Sequence, residues 1–116
     1  MTTTTAVDVA AVCDLAADVI IGNGYCRTFT YDTSQASAGT ALEFCRVGID
    51  GAVNIALQGT PRYVDLTAER TVRTAIEARI TAPSLAAWCS YRGNSKTQAV
   101  RLLRDTAADL RERSRP

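Results

Sequence analysis

From Ala6 onward the apolar residues recur at helical spacing. Val9, Val12, Ala16, Val19 and Ile20 share one stripe, while Asp14 and Asp18 lie one turn apart on another face. Thr5, with Asp8 three residues on, predicts an N-cap of capping-box type, and Gly22-Asn23-Gly24 predicts the C-terminal stop. The period then changes. Tyr25, Arg27, Phe29 and Tyr31 alternate with Cys26, Thr28 and Thr30, the signature of a short strand or extended arm. Residues 32–39 are small and polar and read as a loop.

A second helix opens at Thr40 or Ala41. Leu42, Cys45, Ile49, Ala52 and Ala56 form its seam, with Arg46, Asp50 and Asn54 on another face and Arg46 and Asp50 at i,i+4. Gly48 and Gly51 sit inside it at a cost of ~1 kcal/mol each relative to Ala. The use that offsets this cost is close approach of another backbone; the alternative is a kink or turn at 48–51. Gly59-Thr60-Pro61 stops the helix, and Tyr63-Val64 reads as a second short extended piece pairing with 25–31. Asp65 or Thr67 caps a third helix to about Ile80. Ala68, Val72, Ala75/Ile76 and Ile80 form its buried stripe, and Glu69, Arg73 and Glu77 an exposed ladder. Pro83 suits the first turn of a short helix over 84–91. Gly93-Asn94 breaks it, and Ser95 with Gln98 caps a last helix. That helix turns Ala99/Val100, Leu103, Ala107 and Leu110 inward, and Arg101, Arg104, Asp105, Asp109 and Glu112 largely outward. The expected fold is mainly α, a small irregular bundle of four to five helices with at most two short β segments. It is one domain over 1–116, with frayed tails at 1–4 and 113–116.

Composition narrows the chemistry. With 116 residues, 47% apolar and 22% charged, the chain is ordinary globular material. It contains no histidine, which excludes Ser-His-Asp triads, Cys-His dyads, HExxH sites and mixed Cys-His zinc fingers. The densest apolar stretch, 9–21, is broken by two aspartates and falls short of the ~20 residues a bilayer needs. The N-terminus lacks a cationic region, so the expected location is the cytoplasm, with no membrane partner. The 12 Arg against one Lys, with 19 Ala and 15 Thr, suggest a high-GC bacterium or its phage. Charge is asymmetric. Residues 1–60 carry two Arg against six acids, net −4, and residues 61–116 carry eleven Lys/Arg against six acids, net +5. Either the two halves attract each other or the basic half meets an acidic partner.

Cys13, Cys26, Cys45 and Cys89 are 13, 19 and 44 residues apart with no CxxC pair, and they read as core thiols. Cys26, beside Arg27, is the one thiol in an exposed setting. The Asp14/Asp18 pair reads as a solvated face, and the glycines fit no phosphate cradle, so no cofactor, metal or catalytic set is expected. Residues 84–112 trace the outline of a helix-turn-helix, in which Arg92, Lys96, Arg101 and Arg104 would meet phosphates and Gln98 a base edge. Polar residues flank its turn and Asp105 and Asp109 interrupt its basic face, which favours a plain helical hairpin. Trp88, the single tryptophan, is a core anchor or, with Tyr25, Phe29 and Tyr31, a partner-binding anchor.

Two runs carry a resemblance. One is Phe44-Cys45-Arg46-Val47-Gly48-Ile49-Asp50-Gly51-Ala52. The other is Trp88-Cys89-Ser90, then Gly93, then the amphipathic run from Ser95 to Arg104. With Leu15 to Ile20 and Gly24-Tyr25-Cys26, the chain resembles a family of small uncharacterised actinobacterial and actinophage proteins. Members of that family place Asn-Asp after the tryptophan, where this chain has Cys89-Ser90. The leading expectation is a cytoplasmic helical protein that binds another protein of unknown identity, as a phage or accessory factor modulating a host protein. The alternative is a DNA-binding regulator using 84–112; a homodimer is compatible with either.

Overall fold

The computed structural model describes residues 8–28, 30–63, 66–91 and 93–114. They form six helices: α1 (Val9–Asn23), α2 (Thr33–Ser37), α3 (Ile49–Gln58), α4 (Thr67–Glu77), α5 (Leu85–Ser90) and α6 (Lys96–Arg113). A single 3-10 turn covers Leu42–Phe44. The fold is mainly α, and its β content among the described residues is two isolated bridges. Helix α1 packs along α6 on one side and α3 on the other. Helix α4 leans on α3, and the short α5 closes against α3 and α4. No helix among the described residues is long and apolar enough to cross a membrane.

The small residues of α1 explain this arrangement. Ala10, Val12, Cys13, Ala16, Ala17 and Ile20 are buried, and the three alanines let two helices approach the same rod. Asp8, rather than Thr5, caps the helix by accepting the Ala11 N–H at 3.0 Å; Thr5 lies outside the described residues. Gly24, at φ +98°, ends it by donating its N–H to the Ile20 carbonyl.

The helix expected from 40 to 56 is interrupted. Arg46, Val47 and Gly48 lie outside any helix and form a rail along which residues 24–28 and 30–32 run. Tyr25 bridges Val47 in parallel and Tyr31 bridges it antiparallel. Cys26 N–H donates to the Val47 carbonyl at 3.0 Å, Gly48 N–H to Thr30 at 2.8 Å and Asp32 N–H to Arg46 at 2.9 Å. These long-range bonds take the backbone groups that a continuous helix would have used. The arm at 25–31 thus pairs with Val47; of the expected partner Tyr63-Val64, Val64 lies outside the described residues. Gly51 fits the close-approach reading, since a Cβ there would fall inside contact of the Thr30 carbonyl oxygen. The expected loop at 32–39 contains α2. Asp32 caps it by accepting from the Ser34 and Gln35 N–H groups at 2.9 and 3.2 Å. Helix α4 ends at Glu77 rather than near Ile80, and Leu66 is its N-cap residue. Ser84 caps α5, and Ser95 with Gln98 forms the capping box of α6. The last helix stays regular through Arg113, which pairs with Asp109 at 3.0 Å.

Candidate interaction site

Helix α5 has only six residues, yet it is tied at both ends. At its start, Ser84 Oγ accepts the Ala87 N–H at 3.1 Å, and Glu77 Oε2, from α4, accepts the Leu85 N–H at 2.8 Å. At its end the Trp88 carbonyl accepts Asn94 Nδ2 at 2.8 Å. Leu85 and Cys89 go inward. Trp88 is half-buried against the core, and Tyr91 is 66% exposed. Between these rings and the 81–83 turn runs a groove of about 440 Å3 lined by Thr81, Pro83, Ala87, Trp88, Tyr91 and Asn94. No charged side chain is among its described lining. Its size is that of a small ligand or peptide-anchor pocket.

The aromatic residues expected to act together are divided. Tyr25 and Tyr31 are half-buried against the core and bridge Val47 through their backbones. Tyr25 hydroxyl donates to the Cys89 carbonyl at 3.2 Å, and burial pushes its ionisation well above the ordinary tyrosine range. Phe29 lies outside the described residues. Tyr91, which no sequence argument singled out, lines the groove with Trp88 instead; it is the C-cap residue of α5, and its only signal is its position three residues after Trp88.

The residues proposed for nucleic acid are mostly engaged within the chain. Arg104 pairs with Asp14 at 3.0 Å and Asp18 at 2.6 Å, and Arg111 pairs with Asp14 at 2.6 Å. These bonds join the acidic half to the basic half, and Asp14 and Asp18 face arginines instead of water alone. Partial desolvation pulls Asp14 up, but the hydrogen bonds from Arg104 and Arg111 outweigh it and hold the carboxyl below its usual range. Lys96 Nζ donates to the Ile21 carbonyl at 3.2 Å, and Gln98 is committed to the α6 cap. Arg101 is exposed. Arg92 lies outside the described residues.

A second constellation was misplaced by sequence spacing. Asp50 and Asn54 were expected on an outer face and Glu69 on an exposed ladder, yet all three are fully buried. Arg46 does not pair with Asp50; it binds Asp32 Oδ2 at 2.8 Å. Asn54 Nδ2 donates to Asp50 Oδ2 at 3.2 Å, and Arg73 Nε lies 2.9 Å from Glu69 Oε2. Burial, followed by the hydrogen bond and charge of Glu69, pushes the Asp50 carboxyl up to about 8. A signal was available. Every other residue from Ile49 to Leu57 is apolar or glycine, and a helix apolar all round is buried all round.

All four cysteines are free thiols. Cys13, Cys45 and Cys89 are buried, and burial pushes the Cys13 thiol up to about 11. Cys26 is half-exposed, its sulfur 2.9 Å from Thr28 Oγ1. Among the described residues no group of three or more ligating side chains is placed to hold a metal.

No curated protein and no solved structure matches the chain. One family model does match, over residues 4–109, a span that includes the groove, the 24–32 arm and the buried Asp50–Glu69 cluster. The chain therefore belongs to the family of unknown function DUF6197.

Proposed function

We propose that the protein acts in the cytoplasm by binding a partner protein, and that the partner enters the groove beside α5. The observation that carries this reading is Trp88, on a helix fixed at both ends, with the exposed Tyr91 ring just past that helix on the same groove. A rigid aromatic pair offers large contact area at little entropic cost, which is why Trp and Tyr dominate binding hot spots. Uncharged walls select a neutral, extended segment with an apolar or prolyl side chain, while Thr81 and Asn94 offer polar atoms to its backbone. A small accessory factor of host or phage origin would modulate its target by occupying such a segment.

The test uses a random peptide display library selected on the wild-type protein and on Tyr91→Ser. Tyr91 is exposed, so the variant keeps the fold. Enriched peptides should shift Trp88 fluorescence saturably and bind Tyr91→Ser roughly tenfold more weakly, the loss expected of a modest hot spot. Equal enrichment on both proteins, or binding without a fluorescence shift, removes the groove as the site. A duplex DNA probe in the same assay, bound in a salt-dependent way, would favour the regulator reading instead.

A further inference from the structure

Asp50 of α3 and Glu69 of α4 are both fully buried in a part of the molecule where these helices pack, and neither carboxyl reaches solvent. Among the described residues, one cation serves both. Arg73 is paired with Glu69, and its side chain is 28% exposed. Asp50 Oδ1 accepts no hydrogen bond from the protein, and Glu69 Oε2 meets Arg73 Nε at 2.9 Å as an ion pair outside hydrogen-bond alignment. Two buried carboxylates beside one guanidinium leave an uncompensated charge, which a low-dielectric interior penalises heavily. A single proton on Asp50 removes that charge and supplies a donor to the pair. The other groups around Asp50 support this accounting. Asn54, on α3, donates to it. From α5 the Cys89 thiol faces it, and that thiol is itself pushed up by burial and held neutral. The buried residues of α1, which packs on α3, are apolar apart from the Cys13 thiol.

We propose that the Asp50–Glu69 pair is a one-proton latch: with the proton shared, α4 closes on α3, and when the proton leaves, α4 is released. The sign follows from the folded carboxyl holding its proton more tightly than the unfolded one. The stabilisation is fully present below the ordinary carboxylate range and is lost as pH rises toward about 8. Release of α4 also withdraws Glu77 from the Leu85 N–H, so the start of α5 loosens with it. The latch does not depend on what occupies the groove.

Denaturant unfolding between about pH 5.5 and about pH 8 tests the proton count. One proton lost on unfolding raises the unfolding constant about tenfold per pH unit in this window. Asp50→Asn, which stays neutral, should flatten that slope. The buried thiols do not confuse the result, because their ordinary pKa of roughly 8.5 places their effect above the window. Should the variant fail to fold, two measurements on the wild-type protein decide. Difference infrared spectra should show the carbonyl stretch of a protonated, desolvated carboxylic acid near neutrality, lost on alkalinisation. Amide exchange corrected for intrinsic rates should show α4 losing protection before α1. An absent acid band, an unchanged slope in Asp50→Asn, or equal loss of protection in α1 and α4 overturns the latch.

Discussion

The α1–α6 contact and the α3–α4 contact use the same residue types to opposite effect. At α1–α6, Arg104 and Arg111 bind Asp14 and Asp18 on the rim of an apolar seam, two cations for two carboxylates. At α3–α4, Arg73 is the one cation among the described residues that stands with Glu69 and Asp50, one cation for two carboxyls, and both acids are sealed from water. Asp14 is accordingly held below the usual carboxylate range and Asp50 above it. Side-chain identity is shared, so the difference comes from solvent access and local charge count. The rim is built from charge that water already tolerates. The inner cluster is built from charge tolerated only while one proton remains.

The sharpest way to break this contrast is Arg73→Met. It keeps the side chain's apolar stem and removes the cation that pairs with Glu69 in the inner cluster. Loss of one partner of a buried pair costs about 3–5 kcal/mol, and Arg73's partial exposure places the expected loss near the lower figure, about 3 kcal/mol at neutral pH. The loss should differ between neutral pH, where Asp50 holds its proton, and pH above about 8, where it does not. Denaturant midpoints at the two pH values check this; an equal loss at both would mean that Arg73 contributes packing rather than charge. A smaller effect is expected from Gly51→Ala, on the opposite side of α3. In an ordinary helix this change gains up to ~1 kcal/mol. Here the new methyl meets the Thr30 backbone, so the arm at 24–32 must move, and a net loss of about 2 kcal/mol is expected, within the range for overpacking. Thermal unfolding reads it, and a stabilised variant would show that the arm yields freely.

Local chemistry was legible in the sequence, and long-range chemistry was not. The capping box at Ser95/Gln98 and the glycine stops at Gly24 and Gly59 involve partners within a few residues, so spacing identifies them; the Ser84 cap is equally local, yet Pro83 draws the expected helix start too early. The break before Gly48 depends on Val47 pairing with Tyr25 and Tyr31, which no local period encodes. Asp32 and Gln35 have capping-box spacing, but Gln35 Oε1 accepts the Arg46 N–H, a contact known only once the rail exists. Glu69, Arg73 and Glu77 look like a solvent ladder on α4 alone. Their separate fates follow from neighbours: Asp50 covers Glu69, and α5 takes Glu77 as a cap. The candidate site was half legible. Trp88 stood out by its rarity, whereas Tyr91 acquires meaning only from the groove beside it.

The smallest effect should come from Arg104→Leu, and its pH dependence sharpens the contrast most. Arg104 is 39% exposed, so its two ion pairs are screened and their joint contribution is about 1 kcal/mol at low salt. Added salt to ~1 M should erase most of the difference between variant and wild type. Acid should erase it as well. Asp14 is depressed in the folded protein, so its contribution is present above the ordinary carboxylate value and disappears as pH falls through the folded one. The inner cluster runs the other way, losing stability as pH rises. Wild-type stability should therefore be greatest on the acidic side of neutrality, where the rim is ionised and the Asp50 proton is still held. Arg104→Leu should lower that maximum and leave the alkaline limb parallel to wild type. A changed alkaline slope would mean that the two interfaces share their charge and are not separate electrostatic units.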